Sequence, residues 1–403
     1  MSAKLSWVKN NMPQTDCSKA LSLMDLSVAQ KVRDFHRSFP QYGVTPLAGL
    51  DNLAGHLGVG GIYVKDESFR FGLNAFKVLG ATFAMASFIA KAKGCPVWEL
   101  DYPAITSPKI KKELGSFTFF ATTDGNHGRA VAWSGARLGQ KSVIYMPKGS
   151  LPVRLENIKR EGAGGFISEY NYDETVRFTA ALAEKTPGGV VVQDTAWEGY
   201  EEIPSWIMQG YGTMVLEAVE QLGSLEKKPT HIIIQAGVGS VAGSVQAFAQ
   251  SFYGDGAPTI FVVEAAAADC HYRSVLKGTG QRVSVGGEHD TIMAGLACGE
   301  PNPISWDILK AKSDYFVSME DSLAARGMRV LGAPLPGDPR VISGESGAAG
   351  MGFLTELLTS PDLADLRKQA KIDKDSQILL FSTEGDTDPD TYRRIVWQGD
   401  YNS

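Results

Sequence analysis

Thr230-His231-Ile232-Ile233-Ile234-Gln235 runs without interruption into Ala236-Gly237-Val238-Gly239-Ser240-Val241-Ala242-Gly243. The first segment is almost wholly apolar, as expected of a strand buried on both faces of a parallel sheet rather than one alternating between core and water. The glycines that follow ask for a tight turn, and the chain beyond them reads as a helix. Strand, glycine turn and helix in that order make an α/β unit, and ligands of open α/β sheets bind at such turns.

Working outward, the same rhythm recurs. Strands over 117–121, 142–146, 166–168 and 189–193 alternate with helices over 129–138, 152–161 and 172–184. Strands alternating with helices of this length mean a mostly parallel sheet covered on both faces. Upstream, helices over 27–39 and 50–57 precede a strand over 62–67 and an apolar helix from Val78 to Ala92. Downstream, Pro204 to Leu222 reads as one long amphipathic helix. Strands over 259–263, 315–317 and 377–381 follow, among helices over 269–277, 304–310, 321–331 and 346–359. Residues 1–27 are weakly patterned and predict an irregular arm; 93–116 is polar without a clear element. No internal repeat or low-complexity linker divides the chain. The boundary is therefore topological, with a smaller α/β unit at 82–195 inserted between the parts 1–81 and 196–403 of a larger one.

A chain of 403 residues with 43% hydrophobic and 21% charged residues and 44 glycines has the composition of a globular enzyme and exceeds one ordinary core. A net charge of -6 and a pI near 5.6 give no basic field for a phosphodiester backbone, which argues against a nucleic-acid partner. No stretch approaches the roughly 18 apolar residues of a membrane span and the N-terminus has no signal-like apolar region, so a cytoplasmic protein with no membrane partner is expected. Cys17, Cys95, Cys270 and Cys298 lack C-x-x-C spacing. They read as reduced thiols, without a structural metal site or a disulfide framework.

The chemistry gathers on one lysine and three loops. Lys77 lies in Phe69-Arg70-Phe71-Gly72-Leu73-Asn74-Ala75-Phe76-Lys77-Val78-Leu79-Gly80, where a loop becomes a helix. A lysine pressed between Phe76 and an apolar helical face loses hydration, which lowers its pKa and favours the neutral amine that forms a Schiff base. The plain alternative is a lysine snorkelling at a helix start. Gly237, Val238, Gly239, Ser240 and Gly243 allow close backbone approach and offer helix N–H groups to a phosphate dianion. There is no P-loop lysine and no G-x-G-x-x-G spacing, so a nucleotide is not implied, and a purely structural turn stays open. Thr122, Thr123, Asp124, Gly125, Asn126 and His127 supply hydroxyls, an amide and helix-start N–H groups suited to a carboxylate, and Asn126 can hydrogen-bond a phenolic oxygen. Asp124 is an anion in an anion-binding loop, unless it caps the following helix. Asp194 closes another strand, either as a helix N-cap or as a carboxylate for an ammonium. Ser382 and Thr383 carry hydroxyls able to meet a pyridine nitrogen without fully protonating it. Together these groups offer the imine, phosphate cradle, ring-nitrogen partner and 3′-oxygen partner that pyridoxal 5′-phosphate requires.

These segments resemble, in order and spacing, the fold type II pyridoxal-phosphate enzymes, the group of serine/threonine dehydratases, cysteine synthase and tryptophan synthase β. Four longer strings, at 65–77, 194–200, 293–303 and 343–347, are similar to the diaminopropionate ammonia-lyase family, over about residues 28 to 398. The resemblance implies two three-layer α/β/α domains with mostly parallel sheets. The larger (1–81 and 196–403) would bind the cofactor, and the smaller inserted domain (82–195) the substrate carboxylate. It further implies a homodimer that removes both amino groups of 2,3-diaminopropionate as ammonia and leaves pyruvate. Lys77 and Asp124 would be catalytic, Lys77 acting on the L isomer and Asp124 on the D isomer. Lys77, Asn126, Gly237, Val238, Gly239, Ser240, Gly243, Ser382 and Thr383 would hold the cofactor; Thr122, Thr123, Asp124, Gly125, His127 and Asp194 would hold the substrate. Dehydratases of this fold commonly have serine where Asp124 stands, and a substrate with a second amino group explains a carboxylate there. A dehydratase or β-replacement enzyme of the same fold, or a catalytically silent binding protein, is the alternative.

Overall fold

The computed structural model describes residues 5–13, 15–123 and 125–402. Its strands are β1 (Leu5–Lys9), β2 (Leu47–Gly49), β3 (Gly61–Asp66), β4 (Thr118–Thr122), β5 (Lys141–Met146), β6 (Gly164–Ile167), β7 (Gly189–Val191), β8 (His231–Gln235), β9 (Thr259–Ala265), β10 (Tyr315–Met319) and β11 (Gln377–Ser382). Contacts group the chain into two compact units. One comprises Met1–Leu26, Val44–Phe69 and Met214–Ser403; the other comprises Ser27–Gly43 and Arg70–Thr213.

The first unit is built on a seven-stranded sheet in the order β1-β10-β9-β8-β11-β3-β2. Its five central strands are parallel, with Ile233 opposite Phe261 on β9 and Leu380 on β11. Every residue of β3, β8 and β10 is buried, which requires cover on both faces and accounts for the apolar run Ile232-Ile233-Ile234. The edges are closed by two antiparallel strands, β1 on β10 and β2 on β3. The irregular arm expected at 1–27 is corrected here. Leu5 pairs with Met319 and Lys9 with Tyr315, and Leu5 is buried while Trp7 packs edge-on to Tyr315 at 6.3 Å. Period-two alternation over only five residues is too short a signal to stand out from a polar terminus.

The second unit carries an all-parallel sheet, β6-β5-β4-β7. Against it packs the Lys77–Lys93 helix, buried along nearly its whole length and joined to the Asn126–Arg137 helix by a 2.7 Å hydrogen bond between Thr82 and Ser134. The single helix expected over 204–222 is instead two, Glu202–Gly210 and Gly212–Ser224, meeting at Tyr211. Glycine allows the first of these to approach the Lys77 helix closely. A Cβ on Gly210 would lie 2.5 Å from the Leu79 carbonyl, and one on Gly80 would lie 2.8 Å from both Ile207 and Tyr211. That packing draws 70–81 and 196–213 into the same compact unit as 82–195, so this contact grouping is wider than the boundaries drawn on the sequence. No helix among the described residues is long and apolar enough to cross a membrane.

Candidate active site

In the second unit, the turn before the Lys77–Lys93 helix has a left-handed backbone at Phe71 (φ 49°), Gly72 (φ 73°) and Asn74 (φ 60°). Asparagine tolerates that region better than most residues, and the turn sets Lys77 at the first helical position. Phe76 is buried beside Tyr211, with ring centroids 4.8 Å apart. Lys77 Nζ donates to the Asp194 carboxylate, and both side chains are largely buried. A carboxylate against the amine favours its ammonium form, so the wholly apolar setting expected for Lys77 is corrected to an ion-paired one.

Asp194 follows β7 in a non-helical segment, and the next helix begins only at Glu202, so the N-cap reading of Asp194 falls. The segment is pinned locally. The Tyr200 hydroxyl accepts from Gln193 N at 2.8 Å and donates to Val191 O at 3.0 Å, and the Gln193 side-chain amide donates to Thr122 O at 3.0 Å. Burial pushes the Asp194 carboxyl up, but the Lys77 ammonium, through charge and hydrogen bond, outweighs it and holds the group below the usual carboxylate range. His127, also buried, reaches Val192 O through Nε2 at 2.8 Å, while its Nδ1 lies 3.9 Å from Asp194 Oδ2 with no hydrogen-bond partner among the described residues. Burial lowers the His127 pKa against the pull of Asp194. The ring is therefore neutral, with its hydrogen on Nε2 and a lone pair on Nδ1. Lys77, Asp194 and His127 thus come together as one polar cluster.

The helix expected from Arg129 begins earlier, at Asn126, and Thr123 caps it: its hydroxyl accepts from Gly125 N at 2.9 Å and Gly128 N at 3.1 Å. Asp124 lies outside the described residues. The Thr122 hydroxyl bonds Thr179 at 2.9 Å.

In the first unit, Gly239 (φ 92°) is the N-cap of the Ser240–Tyr253 helix. The first intrahelical bond runs from Gly243 N to Gly239 O, so the helix supplies no acceptor for the N–H groups of Ser240, Val241 and Ala242. Behind the turn, the Val238 carbonyl accepts from Asn302 N at 2.8 Å, and Asn302 also donates to Ser240 Oγ at 2.8 Å. A Cβ at Gly239 would fall 2.4 Å from His271 Nε2 and 2.8 Å from Ser305 Oγ; one at Gly237 would fall 2.9 Å from Gly295 O. Both glycines are fixed by close approach. At the end of β11, Ser382 donates to Ser343 Oγ at 2.8 Å, whereas Thr383 accepts from Gln235 Nε2 at 2.7 Å and keeps its own hydrogen to give. A glycine turn opening a long helix, a hydroxyl donor and a lysine at a helix start fit the phosphate, ring nitrogen and carbonyl carbon of pyridoxal phosphate in donor type and charge.

Lys65 is the other lysine of the string at 65–77, but it is saturated by Thr45 O, Glu217 Oε2 and Gln221 Oε1 at 2.7–2.8 Å. Its role is to hold the strand. None of the four cysteines is joined in a disulfide among the described residues, and Cys270 Sγ lies 3.6 Å from the Cys298 carbonyl. Sequence reasoning missed the Tyr200 clamp, because the 194–200 string does not show what its tyrosine bonds, and the Glu264–His271 pair, because neither residue stands in a recognisable motif.

Residues 39–384 match the model of the pyridoxal-phosphate dependent enzymes, and the chain belongs to that family. It is 50% identical over 382 residues, 94% of each chain, to the diaminopropionate ammonia-lyase of Salmonella typhimurium. It also superimposes on crystal structures of diaminopropionate ammonia lyase from Escherichia coli. The complex with D-serine gives a TM-score of 0.90 at 45% identity, covering 99% of this chain and 98% of that one. The complex with an aminoacrylate-PLP azomethine reaction intermediate gives 0.89 at 45% identity over the same shares.

Proposed function

We infer that this chain is a pyridoxal-phosphate-dependent ammonia-lyase that converts 2,3-diaminopropionate to pyruvate and two molecules of ammonia by α,β-elimination. The observation that carries the reading is the Lys77–Asp194–His127 cluster, in a chain half identical to enzymes named for that activity. When bound, the cofactor supplies a carbonyl carbon for the amines and an electron-withdrawing ring that lowers the acidity barrier at the substrate α-carbon.

The chain's own residues are assigned as follows. Lys77 Nζ holds the cofactor and, once released, removes the α-proton of the L isomer. Asp124 removes that of the D isomer, so both isomers react. Asp194 binds the second ammonium of the substrate, and the His127 Nδ1 lone pair accepts a hydrogen bond from the same group. The helix-start amides after Gly125 take the substrate carboxylate, with Thr122 and Thr123 shaping that loop. Asn126 meets the phenolic oxygen. Gly237, Val238, Gly239, Ser240 and Gly243 cradle the phosphate, and Thr383, with Ser382 beside it, faces the ring nitrogen. A hydroxyl leaves that nitrogen less protonated than a carboxylate would, which favours prompt elimination over transamination. The enzyme is read as a cytoplasmic homodimer, in keeping with its reduced cysteines and amino-acid substrate.

The test is direct. Purified protein with pyridoxal phosphate should release pyruvate and ammonia in a 1:2 ratio from each isomer of 2,3-diaminopropionate. Turnover of serine or threonine with none of the diamine would favour the dehydratase reading.

A further inference from the structure

Gln235 and Thr383 meet where β8 and β11 end. The two strands are parallel neighbours, with Ile233 opposite Leu380, so the glycine turn after β8 and the loop after β11 open at the same edge of the sheet. Both side chains are buried. Gln235 Nε2 donates to the Phe381 carbonyl at 3.0 Å and to Thr383 Oγ1 at 2.7 Å. A carbonyl oxygen only accepts, so the amide atom facing Phe381 is the nitrogen, and a flipped amide would set two oxygens against each other. On its other side Gln235 Oε1 has no partner among the described residues, so nothing there favours the flip. An amide nitrogen only donates, so Thr383 Oγ1 is the acceptor of this bond and its own hydrogen points elsewhere. Among the described residues the Thr383 hydroxyl gives no hydrogen bond.

We propose that Gln235 is a positioning residue for the cofactor's ring nitrogen: held by Phe381, its amide occupies the acceptor side of Thr383 and obliges that hydroxyl to present its hydrogen to the ring. The inference rests on reading Thr383 as the ring-nitrogen partner. A hydroxyl alone is ambivalent, since it can donate to a bare pyridine nitrogen or accept from a protonated one. With Gln235 donating to it, the hydroxyl is committed to the first of these. Ser382, next in the chain, is the contrast, because its hydrogen is already given to Ser343 Oγ at 2.8 Å. A buried hydroxyl hydrogen with no acceptor is costly, and a ligand lone pair at the end of β11 removes that cost. The contact with Phe381 by itself would only tie β8 to β11; the contact with Thr383 adds a direction.

The experiment reads the ¹⁵N resonance of the ring nitrogen in holoenzyme loaded with pyridoxal phosphate labelled at that atom. Thr383→Val should move the resonance from the hydrogen-bonded towards the free pyridine position. Gln235→Met, which removes the amide donor and adds no charge, should move it the same way and weaken cofactor binding by a few-fold to about tenfold. In the Thr383→Val background, Gln235→Met should move the resonance no further, because it acts through that hydroxyl. If Thr383→Val moves the resonance and Gln235→Met leaves it at the wild-type position, Gln235 only ties the strands: the proposal is overturned and the Thr383 reading stands. If Thr383→Val itself moves nothing, the ring-nitrogen reading has failed and takes the proposal with it. Should Gln235→Met not fold, neutron diffraction from the deuterated wild-type holoenzyme decides. The Thr383 hydroxyl deuterium should point away from Gln235, and a deuterium lying between Thr383 Oγ1 and Gln235 would overturn the proposal.

Discussion

Lys77 and Asp194 are 117 residues apart in sequence, yet they form an ion pair whose side chains are only 20% and 12% exposed. The pair keeps a carboxylate beside the amine proposed to hold the cofactor, and holds that carboxylate ionised. In the proposed function Lys77 is taken up by the cofactor and Asp194 binds the second ammonium of the substrate.

Asp194→Asn should therefore lower kcat/KM for diaminopropionate by roughly 10- to 100-fold, the range for a hydrogen bond to a charged group. Any turnover of serine, which lacks the second ammonium, should fall less. Steady-state kinetics on both substrates separates the cases; equal losses would mean that Asp194 serves only to orient Lys77.

At the end of β11, the two adjacent hydroxyls differ in what they have left to donate. Ser382 gives its hydrogen to Ser343, whereas Thr383 receives one from Gln235. Thr383→Val should thus weaken cofactor affinity by a few-fold to about tenfold and shift the cofactor's absorption band. Ser382→Ala should do less. Absorbance titration of both variants gives the order, and the reverse order would move the ring-nitrogen contact to Ser382.

His127 gives a pH signature. Its folded pKa lies below the ordinary histidine value of about 6.5, chiefly through burial, so the unfolded chain takes up a proton that the folded chain refuses. Stability should fall as pH drops below about 6.5 towards the lower folded value. Asp194 stays ionised throughout that window and does not contribute to the slope. His127→Gln should flatten the decline in Tm between about pH 6.5 and 5. A variant with the wild-type slope would show that His127 titrates normally.

Asp124 separates the isomers. If it is the base for the D isomer, Asp124→Asn should cost D turnover a factor of roughly 10² to 10⁴, with a smaller loss on the L isomer. Parallel losses in KM for both would assign it to binding the distal ammonium.

What the sequence makes legible follows from signal length. The apolar run at 232–234 and the strand–helix rhythm from 118 to 191 are strong signals, and they lie where the parallel sheets are. β1 was illegible because five residues carry little periodicity. The break at Tyr211 was hidden because amphipathic spacing continues through it, and only the close approach of Gly210 to Leu79 accounts for the separate helices. In the site, Lys77 and the Gly237–Gly243 turn stand out because each interrupts a local pattern. The Lys77–Asp194 contact spans most of the second unit's sequence, and sequence spacing carries no information about such a pair. His271 gave no signal at all, its ring packing against a glycine 32 positions away.

Lys77, not the buried and saturated Lys65, is the residue proposed to carry the cofactor. Borohydride reduction of the holoenzyme, followed by proteolysis and mass spectrometry, should place the pyridoxyl group on the peptide containing Lys77, and Lys77→Ala should yield a folded protein with no covalently bound cofactor and no pyruvate formation. A label on Lys65 or any other lysine, or pyruvate release by Lys77→Ala at the wild-type rate, would contradict the account.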